Sequence, residues 1–316
     1  MILRSFTQNS PLLPFTYPIV ILLILLSGYQ ELSEHALNIP FVPLSPIALI
    51  TAFSLLLSFN ALLINSIYNR SELYHSPVYL TGLVYALFSS VIAVQTGNLK
   101  LVIAQSFALV ALYFAFSIFR QKKIAHYLFL SSLFLGISIL LDWHNFALVI
   151  LLIVLSFWNR SFAIKDILLV IAGFITPTIY WILYHWLNLS STSLLDFWNL
   201  NPVSSLPHSV SPPLTFLIIF LISIVLALIS LSHKEDRQSN KTVQSKQYLI
   251  MLLVLSAASN ILQILFFQDL NLHDLLSLAS ILLLSQYWTH YRTSLLAPFV
   301  FYLMAILTII QFFHWF

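Results

Sequence analysis

Long apolar runs, separated by short polar breaks, follow one another along nearly the whole chain. Runs long enough for about eleven bilayer-spanning helices fall near residues 12–28, 47–68, 77–95, 101–119, 125–141, 146–158, 167–187, 212–232, 248–267, 275–290 and 295–313. Runs apolar on every side suit helices surrounded by hydrocarbon rather than water. The pattern predicts an all-α polytopic transmembrane bundle, with residues 1–316 forming a single integral membrane domain. The runs at 125–158 admit a second arrangement, a re-entrant hairpin turning around Asp142–Asn145. Three connections are longer than the rest: 29–46, 188–211 and 233–247. The first two are rich in Pro, Ser and Asn and hold no Lys or Arg, whereas the third carries Lys234, Glu235, Asp236, Arg237, Lys241 and Lys246. The first run follows Arg4 and ends at residues 25–30 without a small-x-small cleavage pattern, so it is expected to stay as the first helix.

Charge changes this picture from a helix count into a topology. Only 7% of residues are charged and 60% are hydrophobic, against about 25% charged in a soluble domain. With a cytoplasmic N-terminus and eleven crossings, Arg4, Arg70, Arg120, Lys122, Lys123, Arg160, Lys165, Lys234, Arg237, Lys241, Lys246 and Arg292 all fall inside. Lys100 alone falls outside. A wrong count would scatter the cations, so the positive-inside rule supports both count and orientation. It makes 188–211 an extracytoplasmic loop, 233–247 a cytoplasmic polar loop and the aromatic C-terminus, Phe312 to Phe316, extracytoplasmic. The net charge of +3 then reflects membrane orientation, with no nucleic-acid partner expected. Cysteine is absent, which excludes disulfides, thiolate metal ligands and a cysteine nucleophile.

The same sorting gathers acid and imidazole on the outer side: Glu31, Glu34, His35, Asp142, His144, Asp196, His208, Asp269, His273 and Asp274. Carboxylates beside imidazoles serve as general acids and bases, or hold a divalent metal ion through oxygen and nitrogen. An acid-rich outer face is also what remains once cations are kept inside. Glu31 and His35 share a face if that segment is helical. The run Asp142-Trp143-His144-Asn145 interrupts two apolar runs and is either an interfacial turn or part of a site. Inside the spans no charge stands at mid-membrane, which argues against ion-coupled transport through an intramembrane carboxylate. Asn60, Asn65, Gln105, Asn260, Gln263 and Gln286 are the polar exceptions, suited to hydrogen bonds between helices. Glycine is scarce, no GxxxG pair occurs, and Pro177 is the clearest candidate kink.

Two stretches carry a resemblance. LFLGISILLDW (133–143), the apolar run after it, Asn159-Arg160, and LVIAGFITPTIYWILY (169–184) with Gly173 and Pro177 look like the helix ends of type-C, polyprenyl-lipid-dependent glycosyltransferases. The first outer loop, with Glu31 and Glu34 followed by Pro40 and Pro43, is similar in position to the acidic first loop of those enzymes. The resemblance implies that Glu31 or Glu34 is the catalytic base or a metal ligand. Asp142 would be catalytic, with Lys100, His144 and Asp196 contacting a polyprenyl-phosphate-linked sugar. Asp142 stands where many members place a Lys or Arg for the lipid phosphate, so Lys100 or a divalent metal ion must supply that charge. The chain also resembles a family of uncharacterised polytopic inner-membrane proteins common in Bacteroidota, most clearly over the first 190 or so residues, which implies no activity.

These observations lead to three expectations. The first is an inner-membrane protein of the cell envelope acting on a lipid-linked glycan at the periplasmic face. The second is a non-catalytic subunit or scaffold bound to other envelope membrane proteins. The third is a transporter or flippase with a cavity lined by Asn and Gln.

Overall fold

Leu, Ile, Ala and Phe dominate the first seven apolar runs, and caps mark several of the helix ends. A computed structural model describes residues 13–30, 32, 45–71, 78–118, 124–146, 148–150, 152–153 and 164–187, with positions 225, 229, 243, 246–247, 249–252, 254, 281–282 and 302. Its helices are α1 (Thr16–Ser27), α2 (Pro46–Arg70), α3 (Leu80–Thr96), α4 (Leu99–Ser117), α5 (Ile124–Leu141) and α6 (Ile164–Leu187). No strand occurs among the described residues. Pro46 opens α2 at a position that needs no amide hydrogen, and the Ser45 hydroxyl accepts from the Ala48 amide at 3.2 Å. Gly97 closes α3 in the left-handed region, φ 56°, where a side chain would be strained. Asn98 then starts α4, its side-chain oxygen accepting from the amides of Lys100 and Leu101.

The six helices match the first five apolar runs and the seventh to within a few residues. The segments 148–150 and 152–153, inside the sixth run, are helical too. So are the described positions in the last four runs, and Val243, Lys246 and Gln247 at the end of the polar stretch. The helices α2, α4 and Ile164–Leu183 of α6 are long and apolar enough to cross a bilayer, whereas α1, α3 and α5 are apolar but shorter. The helix α6 runs on through Pro177.

Close contacts fix the direction of each helix relative to its neighbours. Gly28 packs on Val94 and Gly82 on Tyr17, so α1 and α3 are parallel, offset by about 65 residues at both ends. Tyr17 adds a hydrogen bond from its hydroxyl to the Tyr79 carbonyl, 2.5 Å. The C-terminal ends of α2 and α4 lie together. There the Arg70 Nη1 donates to the Ser117 hydroxyl at 2.7 Å, and its guanidinium sits 4.0 Å above the Tyr113 ring. Ser117 in turn donates to the Tyr113 carbonyl.

Between α4 and α5 two serines one heptad apart reach across. Ser131 donates to the Ala111 carbonyl and Ser138 to the Ala104 carbonyl, each at 2.7 Å. Both pairs sum to the same number, 242, so α4 and α5 are antiparallel in a single register. Against the other side of α5, Gly173 meets Ser132 and the Phe129 carbonyl, while Gly136 meets Pro177 and the Phe174 carbonyl. The pairs 132 with 173 and 136 with 177 share an offset of 41, so α5 and α6 are parallel. The start of α6 therefore lies at the level of the start of α5, about 27 Å from the end of α5.

The helices α1 to α5 thus alternate up and down, and α6 runs in the direction of α5. Arg70, the start of α5 and Lys165 lie at one end. Lys100, Asp142 and the end of α1 lie at the other. The helices α1, α2 and α3 pack mutually, α4 packs on α2, α5 on α4, and α6 on α5.

A side chain at Gly173 would press on the Phe129 carbonyl at 2.7 Å, and backbone cannot yield cheaply. Gly173→Val should therefore destabilise the chain by about 1–3 kcal/mol, read as a lower melting point in detergent. Ile171→Val, on the exposed side of the same helix, should leave the melting point close to wild type.

Candidate functional site

The end that holds Lys100 is built by three short structures: the Gly97-Asn98 turn, the C-terminus of α5 and a single 3-10 turn, Trp143–Phe146. The helix α5 stops because the chain tightens after Leu141. The Asp142 amide still donates to the Ser138 carbonyl at 2.8 Å, and the Asp142 carbonyl accepts from the Asn145 amide at 3.2 Å. Asn145, almost wholly buried, then sends its side-chain nitrogen back to the Ser138 hydroxyl at 2.8 Å. Because Ser138 itself donates to the Ala104 carbonyl, the Asp142–Asn145 turn is tied through one hydroxyl to both α5 and α4. The hydroxyl thus spends its one hydrogen on α4 and one of its two lone pairs on the turn.

The α4–α5 register has a consequence for charge. A pair sum of 242 sets Lys100, in the first turn of α4, at the level of Asp142 just past the end of α5. Lys100 is exposed and Asp142 is buried. Two candidates of opposite charge, 42 residues apart in sequence, therefore share one level on adjacent helices.

The remaining candidates are distributed as follows. His144 lies on the 3-10 turn, and its side chain is outside the described residues. Glu31, Glu34 and Asp196 are outside them as well, although Tyr29, Gln30 and Leu32 carry the helical conformation past the end of α1, with Leu32 fully buried. Among the described residues no three His, Asp or Glu side chains gather as metal ligands, so the described part of this end does not by itself form a metal centre. Sequence reasoning singled out Asp142, Lys100 and the run from Asp142 to Asn145 but passed over Ser138, the residue that ties that turn to both helices. The heptad spacing of Ser131 and Ser138 in an otherwise apolar helix was the available signal.

Beyond this end, the intramembrane polar residues divide. Gln105 accepts from the Tyr85 hydroxyl at 2.8 Å, bridging α3 and α4. Asn60 makes no such bond. The chain matches no known family model, no curated protein and no solved structure.

Removing the shared hydroxyl should be felt twice. Ser138→Ala should cost about 1–3 kcal/mol, because it leaves the buried Asn145 amide without its acceptor. Ser138→Ala and Asn145→Ala should be non-additive by about 1 kcal/mol in a double-mutant cycle of thermal stability. Strict additivity would show that the two side chains do not act on one another.

Proposed function

We propose that this chain is a multi-pass protein of the bacterial inner membrane. It has about eleven spans, a cytoplasmic N-terminus and an extracytoplasmic C-terminus. At the end bearing Lys100 and Asp142 it acts, in the manner of a type-C glycosyltransferase, on a lipid-linked glycan at the periplasmic face. The observation that carries the reading is the shared level of exposed Lys100 and buried Asp142, on a turn tied to two helices. Where Asp142 replaces the expected phosphate-binding cation, Lys100 lies at the same height to take its place. An ammonium is a compact point charge suited to a lipid phosphate.

In this reading Glu31 or Glu34 takes the proton of the acceptor hydroxyl as its oxygen bonds to the anomeric carbon. The bond from that carbon to the lipid phosphate oxygen breaks, and Lys100 keeps the released phosphate. Asp142 positions the donor, with His144 and Asp196 contacting its sugar. Supporting the orientation, Arg70 and Lys165 belong to the opposite end of the alternating helices, as cations kept in the cytoplasm would. The chain's other partners are membrane lipids.

A second reading, a scaffold of an envelope complex, is favoured by one separate feature. Only 11% of the apolar window of α6 is buried, against 56% for α4. Ile164, Leu168, Ile171, Ile175 and Ile179 form an exposed apolar stripe on α6, open to lipid or to another membrane protein.

Transfer from a polyprenyl-phosphate sugar in proteoliposomes separates the two. Replacing the base, by Glu31→Gln or Glu34→Gln, should reduce transfer about 100-fold or more. Lys100→Gln should raise the donor KM. If Glu31→Gln, Glu34→Gln and Asp142→Asn all behave as wild type, the enzymatic reading fails. A scaffold would instead copurify with a partner in fixed ratio from mild detergent.

A further inference from the structure

The interior shared by α2, α3 and α4 contains more polar atoms than its hydrogen bonds use. Asn60 is fully buried on α2, and among the described residues neither its amide nitrogen nor its amide oxygen has a hydrogen-bond partner. The oxygen of Asn65, one and a half turns further along α2, is in the same state, as are the hydroxyls of Ser58 and of Thr81 on α3. An amide has two hydrogens to give and two lone pairs to fill. Leaving such a group dry costs about 1–3 kcal/mol or more, so buried polar groups in folded proteins nearly always have a protein or water partner.

Register pairs these atoms across the helices at two levels of α2, about 7.5 Å apart. Asn69 and Val78 exchange two hydrogen bonds at the α2–α3 end, of 3.0 and 2.9 Å. That sets antiparallel pairs summing to 147, and Asn65 with Thr81 sums to 146. The contacts of Arg70 with Tyr113 and Ser117 offset α2 from α4 by 43 to 47 residues, which levels Asn60 with Gln105. Although α3 and α4 are joined by a two-residue turn, they approach too loosely to pack side by side. Their tie is the Tyr85–Gln105 hydrogen bond, and beside it lies a cavity of about 20 Å³ lined by Ser89, Thr96 and Gln105 among apolar neighbours. A single water needs roughly 10–15 Å³ of such space and two to four polar partners.

We infer that α2, α3 and α4 enclose bound water, held by Gln105, Ser89 and Thr96 along the α3–α4 cavity and by Asn60, Asn65 and Thr81 on the α2 side. The ligand is water itself; the cavity reaches toward the Gly97-Asn98 turn, but the residues that hold the water are none of those proposed to act at the Lys100–Asp142 end. The loose α3–α4 approach is what room for water requires: two helices packed tightly there would expel it and leave the amides unsatisfied.

X-ray hydroxyl-radical footprinting of the full chain in nanodiscs tests this, because radicals born from bound water mark the side chains beside it. Tyr85 and Tyr17 are both fully buried phenols, but Tyr85 is hydrogen-bonded to Gln105, which lines the cavity, whereas the Tyr17 hydroxyl is held by the Tyr79 carbonyl. Tyr85 should be oxidised several-fold more than Tyr17, and Gln105→Leu and Asn60→Leu should each reduce that label toward the Tyr17 level. Equal protection of the two tyrosines in the wild-type chain would overturn the inference, whether or not the variants fold. A Tyr85 label unchanged in both folded variants would overturn it too.

Discussion

The arrangement of this molecule depends on how closely α5 can lie between two neighbours. On one side, the Ser131 and Ser138 hydroxyls bond to carbonyls of α4, which a wider separation or a slipped register would break. On the other side, Gly136 and Gly173 remove the methylene groups that would hold α6 away. The first contact makes α4 and α5 antiparallel and brings Lys100 level with Asp142. The second makes α5 and α6 parallel, with their first turns at one level. Polar hydroxyls and missing side chains, not additional hydrophobic burial, set these directions. That is the expected logic where the surroundings are as apolar as the helix surfaces and cannot drive helices together.

Most of the helices were legible in the amino-acid sequence, because a long run of Leu, Ile, Ala and Phe bounded by Ser45-Pro46 or Gly97-Asn98 has few other conformations. Their pairing was not. A helix apolar on every side gives no stripe from which to tell a packing face from an outward one: Leu57 is buried and Leu55 exposed on the same helix, with nothing in composition to separate them. Gly136 and Gly173 carried no pair motif, since each approaches a carbonyl and a side chain of the other helix rather than a second glycine. Asp142 and Lys100 were recognisable as isolated charges in apolar surroundings. Their common level was hidden, being a product of the serine register. Gln105 and Asn60 looked alike as interhelical polar residues, yet only Gln105 has a protein partner in view.

The functional reading follows from the separation of the two ends. At one, Arg70 is held by Ser117 and Tyr113, and Lys165 is exposed, as suits groups facing an aqueous compartment beside anionic headgroups. At the other, exposed Lys100 shares a level with the buried carboxylate of Asp142, on a turn tied by Asn145 and Ser138. In the proposed function, that pairing is what receives a phosphate-bearing lipid. The proposed internal water lies elsewhere, between α3 and α4, and neither idea requires the other.

The central claim is that alternating helices put Lys100 and Lys165 on opposite sides of a membrane. Because the chain has no cysteine, Lys100→Cys and Lys165→Cys each introduce one thiol at an exposed position. A membrane-impermeant maleimide applied to intact spheroplasts should label the first and spare the second until the membrane is opened. Equal labelling of both in sealed cells would contradict the account.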